Sequence, residues 1–181
     1  MGADLRIAHL YPDLLRTYGD RGNVLALRRR AEWRGFSVEV AAVTRGEPLP
    51  DGTDIVLIGG GTDRVQEIIG RVRGTGSMGT RTFELYGFEN HGGRTSLGPE
   101  AAPLASVPKG QGNNGEDGTE GAVQGPIVGT YLHGPVFPSN PPFADAVLEQ
   151  ALAKRTGGEP LEPLDDSLED VARSQARRRK R

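Results

Sequence analysis

The feature that most constrains the fold of this chain is a short apolar run, residues 54–58, that ends in three consecutive glycines. A continuous run rich in Ile and Val is typical of a parallel strand that is buried on both faces. Two earlier strands are predicted over residues 5–10 and 36–43, with a helix between them. This order indicates the beginning of a doubly wound α/β domain with a mostly parallel central sheet.

The helix between the first two strands is predicted over residues 23–34. Asn23 has a side chain suited to an N-cap, and Val24, Leu27 and Ala31 lie on one face at helical spacing. Gly35 follows where a glycine commonly ends a helix.

The doubly wound pattern is interrupted directly after the three glycines. A helix start is indicated at Thr62 or Asp63, but the apolar pattern reaches only Ile69 before glycines follow at 70, 74, 76 and 79. A longer helix and a fourth parallel strand are expected here, and neither is visible. Because glycine weakens both helices and strands, we expect residues 70–81 to be irregular. The strand at 54–58 then closes up against residues 127–132 or borders a solvent-filled notch.

The rest of the chain is rich in predicted strands. We expect strands at 83–88 and 127–132, a long loop at 109–121, and a helix at 142–154. Residues 1–155 are interpreted as one domain. Residues 156–181 contain two prolines, an acidic run and a basic end, so they are interpreted as a charged tail without fixed structure.

Composition excludes several kinds of site. The absence of cysteine excludes disulfides, thiolate metal sites and cysteine nucleophiles. The net charge is −2; six cations and no acid lie between Arg173 and Arg181, which leaves −8 on the remainder. No run approaches the ~18 apolar residues of a membrane span, and no signal peptide is evident. We therefore expect a cytoplasmic protein with no metal site, no cofactor of its own and no general affinity for nucleic acid.

Two glycine-containing segments have residue types that suit chemistry. Successive N–H groups at Gly59, Gly60 and Gly61 suit an anion site for a phosphate, a carboxylate or an oxyanion, and a tight turn is the alternative. The spacing is not that of a dinucleotide-binding fold or a P-loop. Residues 87–95 contain Glu89 and His91, and they fit either a catalytic loop or a structural turn.

Two histidines end or interrupt apolar strands. His133 follows an apolar strand and precedes Gly-Pro, at a strand end where α/β sheets place functional groups. Its imidazole suits a general base, and a structural role is the alternative. His9 alternates with apolar residues on the first strand, which favours a structural role.

Taken together, the motifs resemble a known family. The segments at 59–64 (Gly-Gly-Gly-Thr-Asp-Arg), 87–95 (Gly-Phe-Glu-Asn-His-Gly-Gly-Arg-Thr) and 129–135 (Gly-Thr-Tyr-Leu-His-Gly-Pro) occur in the order seen in GatD glutaminase subunits of lipid II isoglutaminyl synthase. Segments 18–23, 112–117 and 138–141 also match. These subunits belong to the cobyric-acid-synthase-like branch of class I glutamine amidotransferases, and the resemblance implies their flavodoxin-like sandwich, internally shortened here.

The resemblance also implies a function. GatD subunits hydrolyse glutamine and pass ammonia to a Mur-ligase-like partner, MurT. That partner uses ATP and Mg²⁺ to amidate the D-glutamate of lipid II to D-isoglutamine in peptidoglycan synthesis. His133 matches the family's catalytic histidine, Gly59, Gly60 and Gly61 form its oxyanion loop, and Arg71 aligns with its glutamine-binding arginine.

One family element has no match in this chain. The Cys-Gly-Gly-Tyr-Gln elbow belongs between Gly61 and Gly87, where only a short glycine-interrupted stretch remains. Ser77 is the hydroxyl in that stretch, and no apolar strand precedes it. The sequence therefore leaves three hypotheses: a glutaminase subunit by descent, inactive alone; a non-catalytic relative that binds the partner; or a nucleic-acid- or membrane-surface module acting through the basic tail.

Overall fold

The computed structural model describes residues 2–15, 20–60, 68–79 and 81–178, and its described side chains leave out 68–75 and 176–178. Gly61 and the predicted helix start at Thr62 or Asp63 lie outside these ranges. Within them the strands form three separate sheets.

The first half of the chain forms a parallel sheet, as predicted. It consists of β1 (Leu5–Leu10), helix α1 (Asp20–Glu32), β2 (Val38–Val43) and β3 (Ile55–Ile58), with strand order β2-β1-β3. Both pairings are parallel. Val24, Leu27 and Ala31 of α1 are buried in the core, so the predicted apolar face of the helix is confirmed.

Helix α1 starts earlier than the sequence predicted. Asn23 is not the N-cap; it lies inside the helix, and its side-chain oxygen accepts the N–H of Phe137 at 2.9 Å. The end of the helix is as predicted. Gly35 has a φ of 85°, and the N–H groups of Gly35 and Phe36 donate to the carbonyls of Glu32 and Ala31. This pair of bonds is a Schellman motif, whose left-handed residue is usually glycine.

A long antiparallel hairpin replaces the irregular segment that the sequence predicted over 70–81. Strand β4 (Ile68–Met78) pairs along its whole length with β5 (Arg81–His91). The prediction was wrong because β5 has a strictly alternating buried face, which selects a partner strand in one register. Glycine permits the packing at Gly76, where a Cβ would lie 2.6 Å from the Phe83 ring. Tertiary pairing therefore outweighs the low strand propensity of glycine.

Five short strands follow the hairpin: β6 (Ala105–Ser106), β7 (Thr119–Glu120), β8 (Ala122–Gln124), β9 (Ile127–Gly129) and β10 (Leu132–His133). The hairpin sheet has the order β10-β5-β4-β6-β7, and β8 pairs only with β9 among the named strands. The single strand expected over 127–132 is thus two strands in different sheets. The α/β class is confirmed; in the described residues, parallel pairing is confined to the first sheet.

Three helices complete the fold: α2 (Val136–Ser139), α3 (Pro141–Thr156) and α4 (Ser167–Arg178). Helix α3 confirms the helix predicted at 142–154. Its Phe143 stacks on Phe83 of β5, with ring centroids 5.3 Å apart, and both rings belong to the common core. Across the described ranges, no helix combines the length and the apolar composition that crossing a membrane would require.

Residues 157–178, the described part of the predicted tail, are not unstructured as the sequence predicted, since they make fixed contacts and include α4. Leu161 is buried, and its N–H donates to Glu149 at 3.0 Å. Asp166 pairs with Arg30 of α1 at 2.5 Å. The sequence prediction failed here because the contacts are made with other elements of the fold. Arg30 and Asp166, for example, are 136 positions apart in the chain.

A buried ion cluster joins α1, α3 and the C-terminal segment. Arg30 donates two hydrogen bonds to Asp145 of α3, at 2.7 and 2.8 Å, and Arg34 donates a third at 2.8 Å. Burial alone would raise the pKa of Asp145, but the two guanidinium groups outweigh it and hold the pKa below its usual range. The cluster is therefore charged and paired at neutral pH.

We predict that Asp145→Ala destabilises the fold by about 3–5 kcal/mol, because it leaves two buried guanidinium groups short of a counter-ion. Urea unfolding followed by circular dichroism measures the change. The matched control is Glu32→Ala, which removes surface pairs with Arg28 and Arg29 and should leave the unfolding midpoint nearly unchanged. Equal effects of the two substitutions would show that the buried cluster is not a special source of stability.

Candidate functional site

The structure brings His133 and the glycine loop together. His133 ends β10, where its backbone pairs with Phe88 of β5. Its ring atom Cε1 lies 3.5 Å from the position that a Cβ would take on Gly60. The sequence prediction that His133 faces this loop is therefore confirmed at Gly60. The catalytic and oxyanion roles of these residues stay predictions.

A cleft of about 340 Å³ opens where His133 and Gly60 meet. Apolar side chains form much of its wall, including those of Leu57, Val128 and Phe143, and Asp20 and His133 supply polar groups. In the described part of the chain β3 pairs only with β1, and Val56 and Ile58 of β3 are exposed. Of the two predicted arrangements, the notch beside the glycines is therefore the one formed, and the sheet does not close against residues 127–132.

Asp20 is a site residue that the sequence analysis missed. It is the first residue of α1, and its carboxylate lies against Gly59 so closely that a Cβ on Gly59 would overlap it. The side chain is buried, and Oδ2 has no hydrogen-bond partner among the described residues. The signal in the sequence was the Tyr-Gly-Asp-Arg-Gly-Asn segment at 18–23, but nothing in it indicates that Asp20 meets Gly59.

Asp20 interacts electrostatically with two histidines, His9 and His133. Burial raises the pKa of Asp20, and the charges of His9 and His133 partly oppose that rise. Burial likewise lowers the pKa of His9, against the attraction of Asp20. His9 is thus a buried residue of β1 that also interacts with the site through Asp20. The cluster can hold a proton or bind a polar group in the cleft.

Arg71 and Ser77 occupy different ends of β4. The backbone of Arg71 pairs with Phe88, the same residue that pairs with His133 from the other side. Arg71 is therefore placed in the row of His133, although its side chain is outside the described part. Ser77 lies six residues further along β4, about 20 Å away at ~3.3 Å per residue. Ser77 is too far along the strand to act as a nucleophile for His133.

The segment at 87–95 forms the end of β5 and a turn. Glu89 and His91 are fully buried, and His91 Nδ1 hydrogen-bonds to the carbonyl of Gly93 at 2.8 Å. The His91 ring also stacks on Tyr131, with centroids 3.7 Å apart. These contacts favour the structural interpretation of this segment over the catalytic one. Among the described residues, no cluster of His, Asp or Glu has a metal-binding arrangement.

Comparison with known proteins agrees with this architecture. Residues 65–141 match the family model of the CobB/CobQ-like glutamine amidotransferase domain. The chain is 30% identical to the GatD subunit of lipid II isoglutaminyl synthase from Staphylococcus aureus (strain N315), over 96% of this chain and 93% of that protein. It is 31% identical to GatD from Streptococcus pneumoniae (strain R6), over 84% and 82%. A probable cobyric acid synthase from Methanothermobacter thermautotrophicus is 43% identical over 55% of this chain and 19% of its own length.

The fold and the cleft define a class I glutamine amidotransferase framework, with a glycine loop and a strand-end histidine facing each other. Within that class, the extent of the match to the two GatD subunits is decisive. The chain belongs to the GatD family.

The same alignments show how many aligned positions have no residue in this chain. The alignment with the S. aureus protein spans 233 positions, but 96% of 181 residues is only about 174. About 59 aligned positions are therefore opposite gaps in this chain. The S. pneumoniae alignment gives about 62 in the same way, from 214 positions and 84% of the chain. A deficit of this size agrees with the loss of a strand, an elbow and a helix.

We predict that Gly59→Ala destabilises the protein by about 1–3 kcal/mol, because the new methyl group overlaps the Asp20 carboxylate. The matched control is Gly60→Ala, whose Cβ would meet nothing closer than His133 Cε1 at 3.5 Å. Its effect should stay below about 1 kcal/mol. Urea unfolding compares the two, and a larger effect at Gly60 would contradict the placement of Asp20 against Gly59.

Proposed function

We propose that this chain is a GatD-type subunit that has lost glutamine hydrolysis and retains the framework for association with a Mur-ligase-like partner. The observation that carries the proposal is the absence of cysteine from a chain that otherwise aligns with GatD over most of its length. In the family reaction a cysteine attacks the side-chain amide of glutamine, a histidine transfers the proton, and backbone N–H groups stabilise the oxyanion. This chain supplies candidates for the second and third groups only.

Each retained group has a defined task in that scheme. The proposal assigns proton exchange to His133, whose ring lies beside Gly60, and assigns the oxyanion loop to the Gly59–Gly60 backbone; the proximity of the two supports it. Asp20 puts a carboxylate beside the loop, and its charge interacts with that of His133. Without a nucleophile these groups bind and orient a polar molecule but form no covalent intermediate.

The biological setting follows from the relatives. Both GatD proteins are named as glutamine-hydrolysing subunits of lipid II isoglutaminyl synthase. By extension, the partner of this chain is a MurT-type subunit that uses ATP and Mg²⁺ to amidate the D-glutamate of lipid II in the cytoplasm. The proposed role is to support that ligase in peptidoglycan synthesis without delivering ammonia from glutamine.

We predict no detectable glutaminase activity from the purified chain, alone or with its MurT-type partner. Loss of the nucleophile from a covalent mechanism costs on the order of 10⁶ in kcat. An ammonia-release assay with glutamine tests this, with the S. aureus relative as the positive control. Turnover that disappears in His133→Ala would contradict the proposal. Gene sequencing that finds a reading frame with the elbow cysteine restored would also overturn it.

We predict that the chain nevertheless forms a complex with a MurT-type subunit from the same organism. Co-expression with one tagged subunit, followed by size-exclusion chromatography, detects the complex. His133→Ala should leave it intact, because that side chain faces the cleft. Separate elution of the two proteins would exclude the partner-binding role. Retention of the chain on anionic vesicles or nucleic acid instead would favour the basic-tail alternative.

A further inference from the structure

Glu120 holds the segment that leads into His133. Its Oε1 atom accepts a hydrogen bond from the Thr130 hydroxyl at 2.7 Å and another from the Tyr131 N–H at 2.8 Å. The Thr130 hydroxyl oxygen in turn accepts the N–H of Leu132 at 3.0 Å. This chain of bonds ends one residue before His133. The side chain of Glu120 is completely buried, so water does not substitute for these contacts.

A second buried carboxylate lies close to Glu120. Glu89 of β5 is also completely buried and accepts the N–H of Gly112 at 2.9 Å. His91, on the same strand, has its Nε2 atom 3.6 Å from Glu89, and its ring stacks on Tyr131. Glu120 therefore contacts Thr130 and Tyr131 of the segment before β10 and interacts with the charge of Glu89 of β5, which in turn lies beside His91.

This arrangement disfavours two simultaneous negative charges. Burial, and then the charge of Glu89, raise the pKa of Glu120 to about 7, against the hydrogen bonds from Thr130 and Tyr131. Glu120 Oε2, Glu89 Oε1 and His91 Nε2 are buried and have no hydrogen-bond partner in the described ranges. A protonated Glu120 relieves the repulsion from Glu89. Ionisation restores that repulsion and strengthens the hydrogen bonds from Thr130 and Tyr131, so the two protonation states hold residues 130–132 differently.

We propose that Glu120 is a positioning residue for His133, acting through Thr130 and Leu132, and that its deprotonation moves His133 relative to Gly60. The pocket geometry is then coupled to pH through a group that does not line the cleft. This inference does not require glutamine hydrolysis or a partner. It stands or falls independently of the proposed function.

The test follows the backbone amide signals of Gly60, Leu132 and His133 by NMR from pH 5 to pH 8.5. In the wild-type protein these signals should show a titration step near pH 7. In Glu120→Gln, which retains the shape and the accepting oxygen, that step should be lost. The two proteins are compared amide by amide, so any change that does not depend on Glu120 cancels in the difference. The control is Glu116→Gln, an exposed glutamate of the same loop, which should titrate like the wild type.

A second variant separates transmission from local structure. Thr130→Val removes the hydroxyl that connects Glu120 to Leu132. In this variant the step should persist at the Gly112 amide, which donates to Glu89, and disappear at Gly60 and His133. A wild-type step that is confined to Gly112 and Tyr131 would overturn the proposal. Identical Gly60 and His133 titrations in the wild type and Glu120→Gln would overturn it as well.

Stability against pH gives an independent check on the same variants. The folded Glu120 binds its proton more tightly than the unfolded one, whose ordinary pKa is 4.5. The folded state thus holds more protons between about pH 4.5 and 7, and stability falls as pH rises through that window. The urea midpoint of the wild type should decline across it more than that of Glu120→Gln. Parallel declines in the two proteins would contradict a raised affinity of Glu120 for its proton.

Discussion

The packing of α1 against α3 is the constraint on which the rest of this structure depends. In the described residues the parallel and antiparallel sheets share no hydrogen-bonded strand pair. Helix α1 connects β1 and β2 of the first sheet, and α3 packs on β5 of the second. The buried Arg30–Asp145 pair and the hydrogen bond from Phe137 to Asn23 fix the two halves to each other. A buried charge pair cannot slide without losing its counter-ion, so it fixes the relative position of the helices.

The candidate site lies across this junction. Asp20 and the Gly59–Gly60 loop come from the parallel half, and His133 comes from the antiparallel half. Their proximity therefore follows from helix packing rather than from a continuous sheet. A continuous parallel sheet would instead bring strand ends together directly. The cleft lies between β3 and β10, where neither strand pairs with the other in the described residues.

The candidate pocket groups are present in a chain that has no thiol. The electrostatic environment of the pocket persists, with a buried carboxylate, a histidine and a glycine loop beside one another. A thiol is absent, and Ser77 does not replace it, since it lies at the far end of β4. Oxyanion stabilisation and proton transfer act on a bond that a nucleophile is forming. The proposed loss of glutamine hydrolysis rests on this dependence on a nucleophile.

The sequence by itself determined the local elements and the chemistry that is excluded. The first three strands, the apolar face of α1, the Gly35 helix end and the position of α3 followed from periodicity and from glycine chemistry, which act over a few residues. The absence of a thiol followed from composition alone. Tertiary structure decided what depends on contacts between different elements. These are the β4–β5 hairpin, whose glycines are tolerated because β5 supplies the packing; the contacts of Leu161 with Glu149 and of Asp166 with Arg30; the division of 127–133 between two sheets; and the meeting of Asp20 with Gly59. Local propensity carries no information about such contacts because their energy exists only once both partners are in place.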